Sequence, residues 1–339
     1  MDIVEIIKII LLGIIEGVTE WLPVSSTGHM YLFDEFWPMQ ASDAFKEMFF
    51  VVIQLGAILA VVVMFWNKLW PLGLKKNRKP DADGSERLLH AVQPLAQQEA
   101  ELRRMVRKGE FIPSDQDTLS AARNGDGAAV DKKGVYFKKD ILLMWLKVII
   151  ACIPTAILGF LLDDILDTYL YNGPVIAAML IVYGIAFILI ENWNKKRTPR
   201  INSVGDIGYM TAVMFGLFQA LAMIPGTSRS GATIVGALLI GVSRTTAAEF
   251  TFFLAIPTMF GASLLKLVKF FLDGNMLGGT EIAALFIGMA VAFAVSLAVI
   301  RFLMNFVRKH DFKVFGWYRI ALGVAVGIVF ALQFAHVIE

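Results

Sequence analysis

The chain has 339 residues, 57% of them hydrophobic and 18% charged, with a formal net charge of +2. That composition lies far from the soluble average and excludes a water-soluble globular fold in favour of an integral membrane protein. A single cysteine, Cys152, excludes an internal disulfide and, within an apolar stretch, reads as packing.

Met1-Asp2-Ile3-Val4-Glu5 has neither the basic start nor the cleavage site of a signal peptide, so the first apolar segment is expected to stay in the mature protein. That segment, running from Ile6, is interrupted by Glu16, Glu20, Ser25, Ser26, Thr27 and His29. Ionisable groups at membrane depth are costly, and their presence marks a functional site. Stretches of about 20 apolar residues, the length that crosses the hydrocarbon core, follow at 44–66, 141–162, 174–191, 247–270, 283–306 and 316–337.

Flanking charge orients these spans. Lys75, Lys76, Arg78 and Lys79 with Lys132, Lys133, Lys138 and Lys139 place the connection 67–140 inside, and the acidic loop from Asp163-Asp164 to Tyr171 falls outside. Lys195, Lys196, Arg197 and Arg200 return the chain inside, as do Arg308, Lys309, Lys313 and Arg319; Lys266 and Lys269 count against the scheme. The insert 75–139 holds 14 Lys/Arg against 10 Asp/Glu and reads as a polar cytoplasmic excursion, with 95–108 able to form a short amphipathic helix.

The stretch 205–242 begins and ends on the inside, so it must enter the membrane and turn back, at Pro225-Gly-Thr-Ser-Arg-Ser-Gly231. Laying Gly13-Ile-Ile-Glu16 on Gly216-Leu-Phe-Gln219 also aligns Ser25 with Ser228, Ser26 with Arg229 and Gly28 with Gly231. Three spans separate the copies, and an odd number inverts the second. The expected fold is an all-α polytopic membrane protein, one domain over 1–339, made of an inverted repeat. Its first half, 1–191, has a re-entrant hairpin at 3–40 and three spans. Its second, 201–339, has a re-entrant hairpin at 205–242 and three more, and the hairpins meet near the midplane.

Glu16 and Glu20, four apart, share a helix face. Two neighbouring carboxylates suit a hard divalent cation, Mg²⁺ or Ca²⁺; the alternative is that one is protonated or paired with a buried arginine. The hydroxyls at Ser25, Ser26, Thr27, Ser228 and Ser230 fall where helices begin, and free N–H groups there suit a phosphate. Arg229 adds a permanent charge and a bidentate fork, and His29 a group that exchanges protons near neutral pH. Taken singly, the hydroxyls read as helix caps.

Glu16-Gly-Val-Thr-Glu20-Trp-Leu-Pro-Val-Ser-Ser-Thr-Gly-His29, Pro225-Gly-Thr-Ser-Arg-Ser-Gly-Ala-Thr233 and Val52-Ile-Gln-Leu-Gly-Ala-Ile-Leu-Ala60 resemble the bacterial undecaprenyl-diphosphate phosphatases, the bacitracin-resistance family. The insert 75–139 departs from that pattern, which has a shorter connection there. The resemblance implies a multi-pass hydrolase of the bacterial inner membrane that converts undecaprenyl diphosphate to the monophosphate carrier used in peptidoglycan synthesis, with its site toward the periplasm. It carries the catalytic roles to Glu16, Glu20, Ser26, His29 and Arg229, with Ser25, Thr27, Ser228 and Thr233 lining the pocket. Gln219, standing where Glu16 stands in the other copy, joins the phosphate-binding set with Ser230. Attack by Ser26 with His29 as acid/base, and attack by an activated water, both stay open. The lipid tail is expected to enter along the Phe- and Met-rich stretch 250–260.

The rival reading is a transporter or flippase with a midplane phosphate site, since inverted repeats build those too. Expected partners are the lipid diphosphate and the membrane, with no nucleic acid; a homo-oligomer is left open.

Overall fold

The computed structural model describes residues 2–74, 135–170 and 172–335. The expected helix at 95–108, most of the insert, and the histidines at 90 and 336 lie outside them. Two units are distinguished, residues 1–70 with 139–339, and residues 71–138. In the smaller unit Leu72–Leu74 (β1) pairs antiparallel with Val135–Phe137 (β2), Leu72 opposite Phe137 and Leu74 opposite Val135.

The larger unit is built from helices. Six are long and apolar enough to cross a membrane: Asp43–Met64, Lys139–Leu162, Gly173–Asn194, Arg244–Leu272, Gly279–Phe306 and Lys313–Phe334. Each coincides with a span expected from hydropathy, and the chain is an all-α polytopic membrane protein. In chain order the helices of ten or more residues are α1 (Ile3–Thr19), α2 (Ser26–Phe36), α3 (Asp43–Val52) and α4 (Gln54–Met64), followed by α5 (Lys139–Tyr169), α6 (Gly173–Asn194) and α7 (Tyr209–Ala220). They end with α8 (Arg229–Leu239), α9 (Arg244–Leu272), α10 (Gly279–Phe306) and α11 (Lys313–Phe334). α5 runs on through Asp163-Asp164 to Tyr169, so the expected acidic outer loop is mostly helix.

Three helices outside the six spans are much shorter. α2, α7 and α8 have 11, 12 and 11 residues, roughly 16–18 Å at 1.5 Å per residue, against a hydrocarbon core of about 30 Å. α1 and α2 form one arm-turn-arm pair, α7 and α8 the other. Their packing is reciprocal: α1 lies along α10, α7 lies along α5, and α6 runs against α11. In the first two approaches the close contact falls at the glycines matched in sequence. A Cβ at Gly13 would stand 2.8 Å from the Gly288 carbonyl oxygen, and one at Gly216 would stand 2.1 Å from that of Ala151. Close backbone contact over small residues is how helices associate where lipid offers no hydrophobic contrast.

The interior is aromatic. Trp21, fully buried, meets Phe252 edge to face at 5.1 Å, and Phe215 meets Phe250 at 4.7 Å. Phe250, Phe252 and Phe253 are therefore core residues, which removes the expected tail entrance along the first part of 250–260. The outward faces are apolar instead, as with Ile149, Ile153, Ile157 and Phe160 along α5. Two charge expectations change. Arg319, counted as a flanking charge, is fully buried; Lys266, which opposed the scheme, lies 3.7 Å from Glu47.

Gly216→Ala is expected to lower stability by about 1–3 kcal/mol through overpacking against α5. Gly261→Ala on α9, where nothing lies within 4 Å, should be neutral or slightly stabilising. Thermal unfolding of the purified chain in detergent checks both; equal melting temperatures would contradict the close contact.

Candidate active site

The two arm-turn-arm pairs place two serines in the same unusual backbone. Ser25 has φ 76° and Ser228 φ 68°, and among the described residues they alone, apart from glycines, have positive φ. Each precedes a helix and caps it: Ser25 Oγ accepts from the Gly28 amide at 3.4 Å, Ser228 Oγ from the Gly231 amide at 3.3 Å. A residue with a Cβ held there costs about 1–3 kcal/mol and persists only where its surroundings enforce it. The internal sequence match had aligned these two serines.

Two arginines do the enforcing. Arg319 of α11 donates to carbonyls of both turns, to Pro23 at 3.3 Å, Gly226 at 2.8 Å and Thr227 at 2.9 Å. None of its partners is a carboxylate; the carbonyl dipoles solvate the guanidinium. Arg229, the first residue of α8, crosses to the other pair: Nη2 donates to Glu20 Oε1 at 2.9 Å and Nη1 to the Thr251 carbonyl at 3.1 Å. Its guanidinium stands 6.0 Å from the Trp21 ring centre, within cation–π range. Ser230 Oγ donates to the Glu20 carbonyl at 3.2 Å, a further tie between the turns.

The carboxylates divide the work. Glu20 accepts from Arg229 on one oxygen and from Ser26 Oγ, at 2.8 Å, on the other. The alternative that one glutamate pairs with a buried arginine therefore holds for Glu20. Glu16, one turn earlier and fully buried, has no hydrogen-bond partner on either oxygen and lies in the field of Glu20. The buried side-chain polar atoms that lack a partner among the described residues belong to Glu16, Trp21, Gln219, Thr227, Arg229 and Arg319. All lie in the two pairs or, as with Arg319, bind them, and such a concentration of unmet polar groups marks a place built for something polar. Two adjacent carboxylates, one unpartnered, are a donor set that fits a hard cation.

The remaining expected residues separate into two groups. Ser25, Ser26, Ser228 and Arg229 gather at the turns, and Thr27 is half-buried in the first turn of α2. His29 stands apart from the carboxylates: Nδ1 bonds the Ser25 carbonyl at 2.8 Å and Nε2 the Tyr318 hydroxyl at 2.6 Å, with the two rings stacked. Thr233 donates to the Arg229 carbonyl at 2.9 Å and accepts from Thr251 at 3.0 Å, holding the start of α8. Gln219 turns to α5, its amide donating to Thr155 Oγ1 at 3.1 Å.

The family model described as bacitracin resistance protein BacA matches residues 9–106 and 115–325. The chain belongs to this family. It is 52% identical to an undecaprenyl-diphosphatase of Enterococcus faecalis over 98% of this chain and 99% of that protein. It is 49% identical to the undecaprenyl-diphosphatase of Desulfitobacterium hafniense over 98% of this chain and 99% of that one. It is also 49% identical to undecaprenyl-diphosphatase 1 of Clostridium acetobutylicum, over 98% of this chain and all of that protein. These coverages leave no room for a large insertion peculiar to this chain. The segment 75–139, expected to depart from the family, is shared with these relatives.

Within this family chain, Arg319, Thr251, Thr227 and Tyr318 are the contact residues that sequence reasoning passed over. Arg319 carried a signal, a cation with the apolar run Ile320–Leu332 directly after it, but its place near Lys313 made it look like a flank. Thr251 acts through its main chain and nothing in its side chain announces it. Arg319→Met should cost about 3 kcal/mol or more, because three turn carbonyls lose their donor in the interior, and Arg319→Lys less. In the same unfolding experiment Ser228→Gly should be neutral or stabilising by up to about 1 kcal/mol, since relief of the positive φ offsets the lost cap. Ser228→Ala, which keeps the strain and loses the cap, should cost about 1 kcal/mol.

Proposed function

We infer that the paired turns are the place where this chain dephosphorylates undecaprenyl diphosphate, releasing undecaprenyl phosphate and inorganic phosphate. The activity follows from family membership over nearly the whole chain. The single observation that carries its assignment to this site is Glu20, held between Ser26 Oγ and Arg229, beside the unpartnered carboxylate of Glu16. The relatives' printed activity supplies the substrate, a lipid diphosphate met in a membrane.

Ser26 Oγ–H points its proton at the Glu20 carboxylate, the geometry of a nucleophile and its base. In this reading the Ser26 oxygen bonds to the terminal phosphorus, the bond to the bridging oxygen breaks, and undecaprenyl phosphate leaves. Glu20 holds the serine proton, and a water then cleaves the phosphoserine to release phosphate. Arg229, whose Nε–H is buried without a partner, supplies positive charge to the phosphoryl oxygens. Amides at the first turns of α2 and α8 add oriented donors. His29, bonded to Ser25 and Tyr318 and not to Ser26, fits proton delivery to the departing oxygen better than activation of the serine. Glu16 and Glu20 would hold the divalent cation, Mg²⁺ or Ca²⁺. When bound, such a cation supplies charge neutralisation on the diphosphate.

The same reading has the two helix pairs entering the membrane from opposite faces as re-entrant halves of an inverted repeat, with the basic end of the bundle in the cytoplasm. The site then opens toward the outer side of the bacterial inner membrane. The brevity of α2, α7 and α8 and the reciprocal packing of α1 and α7 support it.

The full chain in detergent, given undecaprenyl diphosphate and Mg²⁺, should release phosphate. Glu20→Gln and Arg229→Ala should each lose at least about 10²-fold in kcat/KM. A chelator should abolish turnover and added Mg²⁺ or Ca²⁺ restore it. Rapid quench with labelled substrate should trap a phosphoenzyme absent from Ser26→Ala; near-normal turnover by Ser26→Ala would remove the serine route and leave a water as nucleophile.

A further inference from the structure

The basic end of the bundle holds a polar cavity that the phosphatase site does not use. It measures about 1030 Å³ and is bounded by the end of α6, the loop 195–200, the α8–α9 turn and the end of α10. Six cationic side chains line it, Lys195, Lys196, Arg197, Arg200, Arg244 and Arg308, against one carboxylate, Glu191. Glu191 is fully buried and already engaged: it accepts from Arg244 Nε at 2.9 Å and from the Phe312 amide at 3.0 Å. Among the described residues none of the other five cations has a carboxylate partner.

Charge at this end of a membrane protein is ordinary. A concave wall that holds the charges together is not, because like charges around one space repel. Here the backbone fixes them. The Arg200 amide donates to the Gly241 carbonyl at 2.8 Å, the Ser243 amide to the Ile201 carbonyl at 2.9 Å, and Asn194 Nδ2 to the Leu238 carbonyl at 3.1 Å. The loop and the α8–α9 turn are thereby pinned to each other by neutral hydrogen bonds. Lys195 also meets the Lys313 side chain, and that contact holds its ammonium below the usual lysine range. The rim is suited to the bilayer surface: Leu239 is 38% exposed, and Trp193, 46% exposed, lies 3.6 Å beneath the Arg197 guanidinium.

We propose that this cavity binds a phosphate-bearing anion, the head group of an anionic membrane lipid, at a site separate from the one that hydrolyses the lipid diphosphate. Arginine forks and lysine ammonium groups around one concavity match a phosphate's oxygens, and anionic lipid draws such clusters to the membrane surface. α8 links the two places. Arg229 begins it at the catalytic turn and Leu238 and Leu239 end it in the cavity wall, about 15 Å away by helix rise.

The test is native mass spectrometry of the full chain released from detergent with phosphatidylglycerol or phosphatidylcholine. Wild type should retain phosphatidylglycerol, and Arg197→Gln/Arg200→Gln should retain about tenfold less. Lys266→Gln/Lys269→Gln, at the other end of α9, should match wild type. Equal retention by the Arg197/Arg200 variant, or retention of phosphatidylcholine equal to that of phosphatidylglycerol, overturns the proposal. Inorganic phosphate separates the sources of the anion. Failure of millimolar phosphate to displace the lipid supports a head-group site. Displacement in wild type, with phosphate binding lost in the Arg197/Arg200 variant, supports the anion site but overturns the lipid as its occupant. If the double variant does not fold, Arg308→Gln alone carries the same comparison.

Discussion

A buried guanidinium with no carboxylate to answer it is the constraint on which this structure turns. Arg319 stands fully buried on the last helix and donates to carbonyls of both broken turns. Removing a cation from water is affordable only if donors find acceptors, and a helix-breaking turn is where backbone carbonyls are left over. The arginine needs the turns and the turns need the arginine. With these bonds made, two segments more than 200 residues apart are held in one geometry, and the strained backbone of Ser25 and Ser228 becomes sustainable.

On that frame the second arginine joins the two turns. Arg229 pairs with Glu20 across the halves, and Ser26 joins the same carboxylate. The result is a compact chain from cation to carboxylate to hydroxyl, with the unpartnered Glu16 beside it. Neither half carries it alone: the first brings carboxylates and hydroxyl, the second the charge. Ser230 donates to the Glu20 carbonyl, Thr233 to the Arg229 carbonyl at the start of α8, and Gln219 to Thr155. Positions matched in sequence thus have unequal contacts, and the cations at the other end of α8 show that the same helix borders a second polar surface.

Much of the architecture was legible because the membrane simplifies the code. A crossing helix must be long and apolar, so hydropathy located all six spans within a few residues. The broken segments announced themselves by Glu16, Glu20 and Arg229, charges that a bilayer does not tolerate without purpose. Errors came where charge and position pointed different ways. Arg319 was placed with its neighbours Arg308 and Lys313, because a one-dimensional reading cannot tell a flank from the first buried turn of a span. Phe250 to Phe253 looked like a path for lipid, because core aromatics and lipid-facing aromatics have the same composition.

From sequence alone came the class, the spans, the duplicated turns and the residue types of the site, all of which depend on local composition and spacing. Tertiary structure decided who touches whom: Glu20 with Arg229 and Ser26, His29 with Tyr318, Arg319 with both turns. The physical reason is range. Solvation penalties and helix propensity act residue by residue and leave their mark in the string, whereas a hydrogen bond between positions 20 and 229 is set by how helices pack in three dimensions.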